Sequence, residues 1–300
     1  MASLRIPLLV FVLALSLAAP VAAQSHAGTE SDPAVDQAGS SGGAYDAFLN
    51  GRYEEAIAIW LPLANNGDAA AQFNMGVMYA NGLGVDRDMG VAMDWWENAA
   101  RQLHVRSAHN LALAMLAGEP HDGAREDQET DYTAVLRYLK IGSDAGYPNS
   151  EYTLGKLYAE GVGVEQDKRR AAELFLSAAI KGFAKAQYNL GKIYRDGTGM
   201  TANAGLSLFW FAEAAERGHP RAQDRIAQRR LDGDGVPQDD VEALKWAILA
   251  AAQGVETSQK LRFQLTNQMT QVEIAEAEKR AGAFAPRKGP VLNLPRAPGN

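Results

Sequence analysis

Apolar and polar residues along this chain alternate at the spacing of amphipathic helices. The run 71–79, AQFNMGVMY, returns as 186–194, AQYNLGKIY, with alanine, glycine and tyrosine in the same places. A second run places Ala171, Phe175 and Ala178 on one small, apolar helix face. The pattern therefore predicts two helices in each repeated stretch.

Glycines and short polar residues mark where these helices end and begin. Gly161 and Gly163 interrupt the chain after the first helix, and Gly182 stands where a left-handed residue closes the second. An acidic or amide residue precedes each second helix, in the N-cap position where a side-chain oxygen accepts a backbone N–H. These predicted N-cap residues are Asp88, Asp167, Asn203 and Asp239.

The helical pairs recur with a step of 36 residues, which Gly161, Gly197 and Gly233 keep. The step predicts five units, at 68–103, 104–146, 147–182, 183–218 and 219–254. The second unit is seven residues longer than the others, and its surplus lies in a polar loop from Glu119 to Asp131. We expect a half-repeat at 44–67 and a capping helix at 255–284 to flank the array.

The repeated string resembles the Sel-1-like repeat family, which is related to the tetratricopeptide repeat. The resemblance rests on Ala-Gln-Tyr-Asn-Leu-Gly-x-x-Tyr-x-x-Gly-x-Gly, followed by aspartate, alanine, an aromatic residue, Ala-Ala and glycine. The second unit departs from it with Gly142 and Ser143 in place of the alanine pair, and the fifth has Arg230 in place of tyrosine. The resemblance implies an all-α fold, a right-handed α-solenoid of helix-turn-helix repeats with a concave groove.

The same resemblance implies a function. Sel-1-like repeat proteins usually act as adaptors that hold protein partners, and several exported bacterial members are regulators or interaction scaffolds, some of them in envelope signalling. We therefore expect a non-enzymatic scaffold that mediates protein–protein interactions.

Composition and charge narrow the choice of chemistry and partner. The chain has 300 residues, a net charge of -7 and no cysteine. Disulfides, thiolate metal sites, Fe–S clusters and a thiol nucleophile are thereby excluded. The acidic balance argues against nucleic acid or an anionic membrane as a partner of the whole chain.

The two ends of the chain differ from the repeats. Residues 1–23 combine basic Arg5, an apolar stretch and small residues before a cut after Ala23, which is typical of an export signal. We expect 24–43 to be a flexible lead-in, and the prolines of 285–300 predict an extended or disordered tail. The protein is expected to be periplasmic or secreted, without a membrane span once the signal is cleaved.

The sequence offers few groups for catalysis or metal binding. The closest histidines, His104 and His109, are five residues apart and do not share a helix face. A calcium loop beginning at Asp232 fails because Val236 stands at a ligand position. Neither Ser-x-x-Lys nor Lys-Thr-Gly occurs. We expect no cofactor, no metal and no catalytic residue.

A partner-binding groove is the stronger hypothesis. Counted from the alanine of Ala-Gln-x-x-x-Gly, the positions one before and two, six and nine after share one face of the first helix. In the N-terminal units this face holds Phe73, Val77, Leu113 and Leu116, with Arg106 and His109 between them. In the C-terminal units it holds Tyr152, Lys156, Lys185, Tyr188, Lys192, Arg195, Arg221 and Asp224.

The residue types predict a basic, tyrosine-lined groove that is apolar at one end and fits an extended acidic or mixed peptide of a partner protein. The opposing interpretation is a solvated helix face whose tyrosines only pack. A different class of function is an envelope protein that binds a ligand or the cell wall, or a weak hydrolase. Its site would lie near the 119–131 loop, which carries His121.

Overall fold

The computed structural model describes residues 42–119 and 130–291, and within these ranges it contains fourteen α-helices and no strand. The predicted all-α class is confirmed. The helices are α1 Gly42–Leu49, α2 Tyr53–Asn65, α3 Ala69–Asn81, α4 Met89–Arg101, α5 Val105–Leu116, α6 Tyr132–Asp144, α7 Pro148–Glu160, α8 Lys168–Ile180, α9 Ala184–Asp196, α10 Ala204–Glu216, α11 Pro220–Asp232, α12 Asp240–Ala252, α13 Glu256–Gln268 and α14 Gln271–Gly282.

The helices fall in pairs along the chain. The pairs α3–α4, α5–α6, α7–α8, α9–α10 and α11–α12 occupy the five repeat units in order, and α1–α2 precedes them. The single capping helix expected at 255–284 is instead two helices, α13 and α14, because the chain turns at Met269 and Thr270. Thr270 and Glu273 close a capping box there, in which each side chain accepts the other residue's backbone N–H.

The predicted helix ends are confirmed. Asp88, Asp167, Asn203 and Asp239 each accept the backbone N–H of the residue three positions later, at 2.8 to 3.0 Å. Gly161 and its counterparts close the first helix of their units in the left-handed conformation. At the end of the second helix Gly182 is also left-handed, with φ +94°, whereas the first unit has Leu103 at φ 63° in the equivalent place.

A small residue at the centre of the first helix lets the second helix pack closely. A Cβ atom on Gly191 would lie 2.6 Å from a ring carbon of Phe211, so any larger residue would force the two helices apart. Ala178 and Ala179 on α8 are fully buried, as the apolar face of the second helix predicts. These residues therefore serve the scaffold.

Buried glutamines link the first, fourth and fifth repeat units to the helix before them. The side-chain amides of Gln72, Gln187 and Gln223 donate to backbone carbonyls eight residues earlier, at 3.0 to 3.3 Å. Those carbonyls belong to the last turn of the preceding helix, where intrahelical donors run out. The glutamine of the Ala-Gln pair thus holds successive units together.

The chain forms two compact units that meet in sequence between Ile141 and Gly142. The core of the first unit contains Trp60, Met75, Met93 and Trp96. The second unit has one cluster around Phe175 and Trp210 and another around Phe211 and Trp246.

Residues 285–291 are the described part of the tail, which the sequence predicts to be extended or disordered. They form no helix, but the backbone N–H groups of Arg287 and Val291 donate to Glu216 and Ile180, each at 2.8 Å. Val291 is 9% exposed and belongs to the cluster of Phe175 and Trp210. Proline prevents a helix here, yet it leaves the chain free to dock as an extended segment.

Several predicted features lie outside the described residues: the export signal, residues 24–41 of the lead-in, residues 120–129 of the loop, and the tail beyond Val291. Among the helices that are described, none is long and apolar enough to cross a membrane.

Candidate partner-binding site

The second compact unit contains a cleft of about 400 Å³ between the first helices of two successive repeats, α7 and α9. Helix α8 supplies part of its wall. The lining residues are Tyr152, Lys156, Ala159, Glu160, Lys168, Ala171, Phe175, Asn189, Lys192, Ile193, Asp196 and Thr198.

Helical spacing brings the polar lining residues together. On α7, Tyr152, Lys156 and Glu160 follow each other at intervals of four residues and therefore share a face. On α9, Asn189, Lys192 and Asp196 do the same at intervals of three and four. The structure thus gathers the predicted positions Tyr152, Lys156 and Lys192 in one place.

Tyr152 combines a packed ring with a polar tip. Its ring centroid lies 5.7 Å from that of Phe175 and 5.2 Å from that of Phe183. The side chain of Asn189 hydrogen-bonds the tyrosine hydroxyl, and burial raises the pKa of Tyr152 above its usual value. At neutral pH the hydroxyl is therefore protonated and available as a donor.

The charges around the cleft are mixed, with lysines in excess. Lys156, Lys168 and Lys192 line it together with two carboxylates, Glu160 and Asp196. Asp196 is engaged by its neighbour Arg195, which donates to its two oxygens at 2.7 and 2.9 Å. These hydrogen bonds lower the pKa of Asp196. Arg195, predicted to face a partner, is thus paired within its own helix. The three lysines therefore give the cleft a net positive charge.

A second basic patch surrounds Tyr188. Its ring stacks on His219 at 4.5 Å between centroids and lies 5.6 Å from Phe211. Lys185 and Arg221 are exposed beside it. Burial, together with the positive charges of Lys185 and Arg221, lowers the pKa of His219 to about 4. The imidazole is therefore neutral near pH 7, and its Nδ1 caps α11 by accepting the N–H of Ala222 at 3.3 Å.

The prediction that the N-terminal units expose an apolar groove end is wrong for three of its residues. Phe73, Val77 and His109 are 4%, 6% and 7% exposed. The Phe73 ring lies 5.2 Å from the His104 ring and 5.5 Å from the Arg106 guanidinium carbon, so packing within the first compact unit covers it. Arg106 and Leu113 are half-buried.

Asp224 also differs from its expected role on an open face. Its carboxylate accepts hydrogen bonds from the hydroxyl groups of Thr257 at 2.7 Å and Ser258 at 2.6 Å. Both hydroxyls belong to α13, so Asp224 ties the last repeat to the terminal helices.

Sequence reasoning missed the acidic residues of the cleft, although a signal was present. Glu160 and Asp196 are separated by the same 36-residue step as the glycines, and each directly precedes one of them. A recurrent acid at the end of the first helix, one turn beyond a lysine, marks the rim of this cleft.

The described residues contain no group of three or more histidine, aspartate or glutamate side chains that could hold a metal ion. The arrangement of lysines, amide and hydroxyl at the cleft suits the recognition of carboxylates and backbone carbonyls.

Comparison with known proteins identifies the repeats. A model of the Sel1 repeat matches residues 69–102, 148–183, 184–219 and 220–255. These stretches coincide with α3–α4, α7–α8, α9–α10 and α11–α12, and the resemblance to the Sel-1-like repeat family is confirmed. The degenerate second unit is not among the matched stretches.

Solved structures share the fold. A Sel1 repeat protein from Oxalobacter formigenes superposes with a TM-score of 0.69 at 23% identity, covering 81% of this chain and 99% of that one. A protective antigen of uropathogenic Escherichia coli with an SLR fold gives 0.50 at 19% identity, covering 86% and 67%. At these identities the likeness concerns the fold.

One sequence relative is an ERAD-associated E3 ubiquitin-protein ligase component of Arabidopsis thaliana. It is 30% identical over 122 residues, which are 40% of this chain and 18% of the relative. The match therefore spans less than a fifth of that protein's length.

Proposed function

Because the chain carries Sel1 repeats in four places, we propose that it is a protein-binding module whose α7–α9 cleft holds an extended, acidic or mixed-charge segment of a partner protein. Sel1-repeat proteins generally mediate protein–protein interactions. The observation that carries the proposal is the convergence of Tyr152, Lys156 and Lys192 in a single cleft.

The size of the cleft favours a segment over a folded surface. A volume of about 400 Å³ lies at the lower end of the range for small-molecule sites and accepts a few side chains of an extended chain. Asn189 and the Tyr152 hydroxyl offer hydrogen bonds to its backbone. The repeat would therefore recognise a short linear segment.

The charged residues of the cleft indicate which charges the bound segment should carry. Lys156 and Lys192 stand on opposite walls of the cleft, and Lys168 stands at the start of α8. Since Arg195 already engages Asp196, the carboxylate that opposes the lysines from within the cleft is Glu160. An acidic residue of the partner would lie between the two walls, and a basic residue next to it would approach Glu160.

Export and a regulatory role in the cell envelope belong to the same proposal. Export is supported by the basic start, apolar stretch and small residues of 1–23. The regulatory role is what the resemblance to exported Sel-1-like repeat proteins implies. We further propose that the chain acts without catalysis, since the Sel1-repeat fold is typically non-catalytic.

Reversing the two wall charges tests the proposal. In the variant Lys156→Glu with Lys192→Glu, we expect the affinity for the partner to fall about tenfold or more, because each reversal replaces attraction by repulsion. The measurement is pull-down and crosslinking from cells that make the protein, followed by titration of the identified partner against both forms.

A matched control separates the cleft from the overall charge. Lys260→Glu with Lys279→Glu changes the net charge equally on the exposed faces of α13 and α14. This control should bind normally. Equal binding by all three proteins, with unchanged helical circular dichroism, would rule out the cleft. Reversing an acidic residue of the partner segment to lysine should restore binding to the Lys156→Glu, Lys192→Glu variant alone.

A further inference from the structure

The second compact unit already holds an extended segment, at a place other than the cleft. We call residues 287–291 the docked segment and the C-terminal ends of α8 and α10 the acceptor edge. The segment donates N–H groups to Ile180 and Glu216, the last residues of these two helices. Ile180 and Glu216 are one 36-residue step apart, so the segment satisfies the same orphan carbonyl in two successive repeats.

Side chains add recognition to these backbone hydrogen bonds. The buried guanidinium of Arg217 donates to the carbonyl oxygen of Gly289 at 3.0 Å. Glu213 accepts from Arg217 and from Arg287, each at 2.6 Å. At the far end Val291 is buried. The acceptor edge thus contacts a cation, a backbone carbonyl two residues later and a β-branched apolar residue two residues after that. The residue that supplies the carbonyl has φ +82°, which favours glycine there.

Docking diverts Arg217 from the role that its counterparts play. One repeat further on, Gln253 donates to Gln223 at 2.9 Å, and one repeat earlier Lys181 donates to Glu151 at 2.6 Å. Arg217 turns instead to Gly289 and Glu213. Among the described residues, Gln187 Oε1 and Arg217 Nε are both buried without a hydrogen-bond partner. Release of the segment would let these two groups meet as they do in the neighbouring repeats.

The docked segment also buries little of its own surface against the acceptor edge. The side chains of Arg287 and Lys288 and the residues Gly289 and Pro290 are exposed, which leaves Val291 as the one buried side chain of the docked segment. A stretch with few buried apolar contacts belongs to the low-stability end of a structure. We therefore expect the docked segment to detach from the acceptor edge while the rest of the protein stays folded.

We propose that the acceptor edge is an exchangeable peptide-binding site, with residues 287–291 as its internal ligand. Its external ligand is an extended segment of a partner protein with the same chemistry, a cation followed by glycine and then by valine or isoleucine. The backbone contacts of this site are separate from the cleft, because Lys168 at the start of α8 lies about 18 Å along the helix from Ile180 at its end. Phe175 belongs to both, since it lines the cleft and shares a cluster with Val291.

Peptide binding to a chain that ends at Ala285 tests the proposal. The probe is a fluorescein-labelled peptide of residues 285–291, and the measurement is fluorescence anisotropy. We expect the shortened chain to bind the peptide, and the full chain to bind it about tenfold more weakly, since its own segment occupies the edge for most of the time. A peptide with Arg287→Glu should bind neither protein.

Two glycine variants of the shortened chain locate the bound peptide. Gly182 and Gly254 close equivalent helices with φ +94° and +84°, so alanine strains both alike. Only at position 182 would the added Cβ fall on the carbonyl of Gly289, whereas the space at Gly254 is open. We expect Gly182→Ala to abolish peptide binding and Gly254→Ala to retain it.

Several results would overturn the proposal. These are a folded, shortened chain that ignores the peptide, equal binding by the full and shortened chains, and equal binding by the two alanine variants. If the shortened chain does not fold, hydrogen exchange of the full chain decides. If the amide hydrogens of Arg287 and Val291 exchange with solvent only on global unfolding, the docked segment does not leave the edge and the proposal is contradicted. Faster hydrogen exchange, by local opening, would support the proposal.

Discussion

The sixth position after the alanine of the first helix is buried in one repeat of the first compact unit and exposed in one repeat of the second. In the first unit it is Val77, which is 6% exposed. In the second it is Lys156, half-buried at the cleft, and Lys192, which is exposed. The position along the helix is the same, so the residue that stands there and the neighbours that cover it decide whether this face is buried or exposed.

The position two after the alanine shows the same contrast. Phe73 in the first unit is 4% exposed, whereas Tyr152 and Tyr188 in the second are half-buried. All three rings pack on the residue that precedes the next first helix: His104, Phe183 or His219. Tyrosine adds a hydroxyl at the outer end of the ring, and this keeps a polar contact available in the second unit.

Exchanging the sixth position between the units should produce the largest effect. Val77→Lys places an ammonium group in a packed interior, and we expect it to lower the free energy of unfolding by about 3 kcal/mol or more. Lys192→Val should change it by less than about 0.5 kcal/mol, because that side chain is exposed. Urea denaturation of both variants measures the difference. Equal losses would show that the two faces are not distinct.

A histidine of the second unit should add a pH dependence of intermediate size. The folded-state pKa of His219 is about 4, below its ordinary value of 6.5. The unfolded chain therefore binds the proton more readily, and stability is complete above pH 6.5 and falls as the pH drops toward 4. From 1.36 kcal/mol per pKa unit, we expect a loss of roughly 2 to 3 kcal/mol.

The variant His219→Phe isolates this contribution. Phe183 occupies the equivalent place one repeat earlier, with its ring 5.2 Å from that of Tyr152, so the substitution keeps the ring packing. It removes the titration together with the hydrogen bond by which His219 caps α11. Urea titrations at pH 7 and pH 4 should give a smaller difference for the variant than for the parent. An unchanged difference would assign the acid sensitivity to carboxylates elsewhere.

The smallest effect is expected at a turn that differs between the units. Leu103 is left-handed at φ 63° and 69% exposed, where the second unit has Gly254 at φ 84°. Leu103→Gly should stabilise the protein by about 0.5 to 1 kcal/mol, and Gly254→Leu should destabilise it by about 1 kcal/mol. Thermal unfolding would reveal both shifts, and a loss of stability in Leu103→Gly would mean that the leucine side chain has a packing role.

The repeated elements could be predicted from the sequence because each carries its own local signal. Asp167 caps a helix and Gly161 ends one in the structure as in the prediction. The turn between α13 and α14 also had a signal, since Thr270 and Glu273 have the spacing of a capping box.

Burial within the candidate site could not be predicted in the same way. Helical spacing places Val77 and Lys192 on equivalent faces, but it does not say which neighbours cover them. The pairing of Arg195 with Asp196 depends on side-chain conformation. The docked segment needs contacts between Arg287 and Glu213, which are 74 residues apart. Proline content alone predicted the absence of a helix there and could not predict the docking.

Site-specific photocrosslinking tests the central claim most directly. The photoreactive residue p-benzoylphenylalanine replaces Lys192 at the cleft or, as a control, Lys260 on the exposed face of α13. The proposed function predicts that position 192 crosslinks to a short segment of a partner protein containing aspartate or glutamate, identified by mass spectrometry, and that position 260 does not. A partner that binds normally yet crosslinks at 260 and never at 192 would contradict it.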